Sequence, residues 1–162
     1  MVVWLTGVVP KTLWIPKQVD GVRAAAERRR RETKKVVGVN VDGPVGWSEI
    51  QALPLGKRQD MIRYLGKALE VYPRLWDRVL GDVPVALIGG RVEKRIKAIE
   101  VDDVALERDG GAGGLVEEEV RIACVERGLD TLGLEEGKVR GELFRWLRVR
   151  RGKEAEVELE GG

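Results

Sequence analysis

Apolar residues recur at helical spacing along most of the chain, and glycines and prolines break the pattern into segments. The clearest case is 115–147, where two such segments follow one another. In the first, Val116, Val120, Ala123 and Cys124 fall on one face. Glu117, Glu118 and Glu119 occupy its first turn, where acids meet the positive end of the helix dipole. Arg127 lies in its last turn, and Gly128 offers the left-handed residue that ends a helix at little cost. In the second, Val139, Leu143, Trp146 and Leu147 form the apolar stripe. Lys138, Arg140, Arg145, Arg148 and Arg151 lie off that stripe, and Gly152 reads as a stop. The pair predicts Leu143 and Trp146 mostly buried against the helix that carries Ala123 and Cys124.

Upstream the same reading gives further helices. Residues 1–17 hold Gly7, Pro10 and Pro16 and read as an irregular lead-in. A helix is expected from Lys17 to Lys35, then a linker from Val36 to Val45. Ser48 and Glu49 start a short helix that Pro54 cuts. Lys57 to Val71 predicts a helix with Met61, Ile62, Leu65 and Leu69 on one face. Leu75, Trp76, Val79 and Leu80 read as a small apolar turn plugging the core. Pro84 suits the first residue of a helix running to Ile99, with Leu87, Ile88, Val92, Ile96 and Ile99 inward. Gly89 and Gly90 each cost about 1 kcal/mol relative to Ala, so a kink is expected there. Asp102 is read as the N-cap of a separate short helix ended by Asp109, Gly110 and Gly111. The fold class is therefore all-α, one domain of about six or seven helices.

Length and composition fit this: 162 residues, 43% hydrophobic and 35% charged, are enough for one domain with a core. The net charge of +2 hides strong local fields. Residues 1–35 carry nine basic and three acidic groups, whereas 100–137 carry three basic and twelve acidic ones. Residues 138–153 are basic again, and 154–162 form an acidic tail expected to fray. The basic run Arg28, Arg29, Arg30, Arg31, Lys34 and Lys35 suits phosphate, where each neutralised charge releases counterions. It equally suits anionic lipid, and a solvated helix end is the plain alternative.

Histidine is absent, which removes the commonest general base and zinc ligand. The lone Cys124 excludes an intramolecular disulfide, and no histidine is there to activate it as a nucleophile. Asp102, Asp103 and Asp109 lack the oxygen spacing of an EF-hand loop. The glycines at 110–114 follow no strand and lead into no Gly-Lys-Ser/Thr, so they are not a phosphate loop. No metal, cofactor, catalytic residue or small-molecule substrate is expected. Met1 to Val9 are mostly apolar, interrupted by Thr6 and Gly7, and far short of the roughly 20 residues that span a bilayer.

One ungapped register carries a family likeness. Leu115, Glu119, Ala123, Cys124, Arg127, Gly128, Leu132, Gly133, Arg140, Leu143, Trp146 and Leu147 match the C-terminal pattern of the ribosome-binding domain of the LETM family. These are the leucine-zipper, EF-hand-containing transmembrane proteins of the mitochondrial inner membrane. Val120 and Val139 stand where that pattern usually has Leu, and Leu129 where it often has Met. Phe144 departs from it, a large apolar residue where the family usually has a polar one. More loosely, Arg91 to Arg95, Asp102-Asp103 and the turn at Arg108 to Gly111 resemble the preceding part of fungal-type short members.

The resemblance implies a 14-3-3-like helical array spanning 18–153. It implies a non-enzymatic module on the matrix side of the inner membrane that docks the mitochondrial ribosome. In the family this serves membrane protein insertion and is linked to potassium/proton and calcium homeostasis. A membrane segment either precedes residue 1 in a longer protein or is absent, leaving peripheral docking. Arg28, Arg29, Arg30, Arg31, Lys34, Lys35, Arg145, Arg148 and Arg151 are the expected ribosome- or polyanion-binding residues, with Arg28, Arg30 and Arg31 facing solvent. The alternatives are a peripheral anionic-lipid module using the same basic helix, a protein scaffold, or a ribosomal contact through the acidic stretch 100–136.

Overall fold

The computed structural model of the chain describes residues 21, 24–32 and 43–160, and all of its regular structure there is helical. The lead-in at 1–17, most of the linker and Lys34 and Lys35 lie outside the described residues. Helix α1 covers 24–32. It is followed by α2 (Trp47–Ala52), α3 (Leu55–Ala68), α4 (Arg74–Leu80) and α5 (Val85–Arg108). A 3-10 turn at Gly111–Gly113, α6 (Glu117–Glu126) and α7 (Glu136–Glu160) complete the order. The all-helical class read from the sequence holds, and a 14-3-3-like array is compatible with it.

Helix α5 is the spine. Its inward stripe of Ile88, Val92 and Ile96 packs with Ile62, Leu65 and Ala68 of α3, joined by Ile50 of α2. A second cluster joins Val120 and Cys124 of α6 to Val139, Leu143 and Leu147 of α7, over Ala112 in the 3-10 turn. Leu143 is fully buried in it, as the stripe predicts. Trp146 packs there half-buried, because its indole nitrogen reaches a carboxylate of α5.

The helix ends follow local chemistry. Pro54 and Pro84 each precede a first helical residue, where a missing N–H costs nothing. Glu119 accepts from the backbone N–H of Val116 at 3.0 Å and closes the start of α6. At the other end Gly128 takes φ +75. The N–H groups of Gly128 and Leu129 then donate back to Val125 and Cys124, filling carbonyls a helix end leaves open.

Several local expectations are corrected. Leu75 to Leu80 is helix α4, not a core plug: Leu75 and Val79 are more than half exposed, and Trp76 alone of the apolar group packs inward. Leu87 is also exposed, on the face of α5 opposite Ile96. Helix α5 runs unbroken through Gly89, Gly90 and Asp102, because fully buried Ile88 and Val92 pin the flanks of the glycines. Helix α7 passes Gly152 and continues through the acidic residues to Glu160, since one exposed glycine costs only about 1 kcal/mol.

Candidate functional site

The basic residues separate into structural and exposed sets. On α1, Arg28 is exposed, but Arg29 and Arg30 are buried. Arg29 pairs with Asp77 at 2.6 Å and lies over the Tyr72 ring at 4.9 Å. Arg30 donates to the Leu129 carbonyl at 3.2 Å and to Asp130 at 3.1 Å. Arg31 keeps its side chain 65% exposed yet bonds Asp130 at 3.0 Å, and that contact raises its pKa. Glu27, also buried, accepts from the N–H groups of Thr131 and Leu132. Helix α1 thus serves as a clamp on α4 and on the α6–α7 connection. The solvent-facing placement expected for Arg30 is corrected by this geometry. Asp77 also accepts from the Tyr72 hydroxyl at 3.1 Å, so Arg29 joins a shared acid, while the Arg30 guanidinium meets both Asp130 and the Leu129 carbonyl.

The α7 set behaves as its helical phase predicts. Arg145 is exposed and pairs with Glu142 at 2.6 Å. Arg151 is exposed and bonds Glu107 of α5 at 2.9 Å, and that hydrogen bond raises its pKa. Arg148 is exposed and forms no salt bridge with a described residue. Arg140 instead braces the fold: it donates to the carbonyls of Ala112 and Leu115 and pairs with Glu136.

Asp103 is the centre of a buried network. It accepts from Arg127 Nε at 2.7 Å, Trp146 Nε1 at 3.0 Å and Arg150 Nε at 3.1 Å. Asp102 takes the second face of Arg127 at 2.6 Å. Burial works against the charge on Arg127, but Asp103 and Asp102 more than offset it and raise its pKa. The pair of aspartates therefore ties α5 to α6 and α7, in place of the helix cap expected from the sequence. Glu27 carries no signal of its clamping role in its local sequence, and Arg150 carries only a partial signal of its own. The partial signal for Arg150 is its place one turn after Trp146, on the face that meets α5.

A cleft of about 320 Å³ lies between α3, α5 and the α6–α7 pair. Leu65, Ala68, Ile96 and Leu129 supply apolar wall, and Arg30 and Arg127 line it while engaged by acids. Burial pushes the Cys124 thiol up to about 11, the inert end of thiol behaviour. Among the described residues no group of three or more His, Cys, Asp or Glu is placed to hold a metal ion. No helix among them is long and apolar enough to cross a membrane.

Searches of curated proteins and of solved structures found no match to the chain. A family model described as "LETM1-like, RBD" matches residues 61–159. The match begins in α3, takes in α5 with its aspartate pair, and ends in α7. That family is one of non-catalytic ribosome-binding domains associated with the mitochondrial inner membrane. With more than half of its length matched, the chain belongs to the LETM1-like ribosome-binding-domain family.

Proposed function

We infer that this chain is a matrix-side module that docks the mitochondrial ribosome at the inner membrane, serving membrane protein insertion and linked to cation homeostasis. The family match over 61–159 carries the reading. In this reading residues 18–153 form the ribosome-binding domain and 154–162 an acidic extension. Arg28, Arg145, Arg148 and Arg151 are the contact residues within the described part, with Arg31 beside them. Their exposure supports this role, and their charge suits the phosphates of ribosomal RNA. Arg29 and Arg30 hold the frame behind them.

Co-sedimentation with purified mitochondrial ribosomes tests the function. The chain should pellet with ribosomes at physiological salt and be released steeply as salt rises, because phosphate contacts act through counterion release. Arg28→Glu together with Arg148→Glu should reduce pelleting while helix content stays unchanged. A parent chain that stays in the supernatant at physiological salt overturns the reading, and flotation with cardiolipin vesicles in its place would assign the module to lipid.

A further inference from the structure

Phe144 is an apolar ring in an exposed and basic setting. Its side chain belongs to α7, lies outside the cluster of Val139, Leu143 and Leu147 with the ring tip beside Gly113 of the 3-10 turn, and remains 51% exposed. It stands where the family likeness has a polar residue. Arg148 follows one turn later and Arg151 two turns later, so Phe144, Arg148 and Arg151 stand at i, i+4 and i+7 along one strip of the helix. Arg145 borders the strip, and both Arg145 and Arg151 remain largely exposed while paired. Gly137 and Gly141 precede the ring on the same side, and a Cβ added at either would meet nothing within 4 Å. The surface beside the ring is therefore low and open.

We propose that Phe144, Arg148 and Arg151 form a stacking platform for an unpaired base of ribosomal RNA. The inference rests on the ribosome-binding reading and names the chemistry of the contact. Every nucleobase offers a flat face, and a base laid on an aromatic ring directs its flanking phosphates towards adjacent basic side chains. The open ground at Gly137 and Gly141 lets a base approach the ring edge-on and settle flat. Arg148, which pairs with no acid among the described residues, meets the phosphate. A bilayer fits this strip less well. Interfacial helices bury several neighbouring apolar side chains, whereas here one ring stands among glycines and arginines.

Fluorescence anisotropy with two labelled probes tests the platform: a single-stranded RNA of about twelve nucleotides, within the usual site size for such surfaces, and a duplex RNA of the same length. Phe144→Ala should weaken single-strand binding about 5- to 150-fold, the range that base–aromatic stacking supplies. It should leave the duplex affinity and the salt slope unchanged, and Phe144→Trp should restore single-strand binding. Arg148→Glu should weaken both probes and lower the salt slope for the single strand by about 0.7 for each phosphate no longer neutralised. Equal single-strand binding by Phe144→Ala and the parent overturns the proposal. So does an equal loss on both probes, or a loss confined to cardiolipin vesicles. Ribosome pelleting separates the two levels. If the parent and Phe144→Ala both pellet fully, the platform is wrong and the ribosome reading stands. If the parent does not pellet but single-strand binding still depends on Phe144, the ribosome reading falls and the RNA platform stands.

Discussion

Asp103 and Arg127 meet at 2.7 Å with both side chains 1% exposed, across the gap between α5 and α6. Arg150 and the Trp146 indole converge on the other carboxylate oxygen of Asp103, so one acid holds three partners. Such a group is costly to bury and far costlier to leave half-paired.

Asp103→Ala should therefore destabilise the fold by about 3–5 kcal/mol, the usual cost of stranding a buried opposite charge. Urea denaturation gives the value. A loss under about 1 kcal/mol would mean that Asp102 alone satisfies Arg127.

Trp146 makes two separable contributions. Trp146→Phe keeps most of the packing and deletes the bond to Asp103, and should cost about 1.5–3 kcal/mol, as bonds to charged groups do. Trp146→Ala also loses the ring and should cost about 3–5 kcal/mol. Equal losses for the two variants would show that the ring contributes little beyond its N–H.

Arg30→Glu should not be tolerated as a surface change. It places a carboxylate beside Asp130 in a position that is 5% exposed, and should cost about 3 kcal/mol or more. Arg28→Glu, on the exposed side of α1, should stay within about 0.5 kcal/mol of the parent. Thermal melts of the two variants side by side check the contrast. A charge reversal that includes Arg30 would confuse impaired folding with impaired binding.

Stability should fall at alkaline pH. Burial raises Cys124 from its ordinary 9.0 to about 11, and raises Tyr72, beside Asp77, from 10.0 to about 12. Both groups keep their protons longer when folded. Their contribution is complete below pH 9 and is lost as pH rises, through about 11 for the thiol and about 12 for the phenol. Denaturant midpoints measured from about pH 8 to about pH 11 should decline, and Cys124→Ala should flatten the part between pH 9 and pH 11. A midpoint constant over that range would refute the thiol's share.

Gly90→Ala should raise stability by about 0.5–1 kcal/mol. The site lies on the exposed side of a continuous helix, and an added Cβ meets nothing within 4 Å. A drop in stability would point to a bend in α5 that the glycines permit.

The sequence by itself determined most of the helices and most of their inward faces. Val120, Cys124, Val139, Leu143 and Leu147 were legible because a helical period of about 3.6 residues records which side avoids water, and that record is local. The stop at Gly128 was legible for the same reason: a left-handed residue is written in one position. Exposed Arg145, Arg148 and Arg151 followed from their phase against that stripe. Tertiary structure decided what local pattern cannot hold. Whether Gly89 and Gly90 break α5 depends on neighbours that pin Ile88 and Val92. Whether Leu75 and Val79 plug the core depends on space already filled by Tyr72 and Trp76. The fate of the arginines was the least legible, because charge on a helix looks the same in solvent and in a buried pair. Arg30 meets its acid a hundred residues away, and Arg150 meets Asp103 forty-seven away. Only folding brings those carboxylates within reach, and only then does desolvation select which arginines are struts and which remain free to bind.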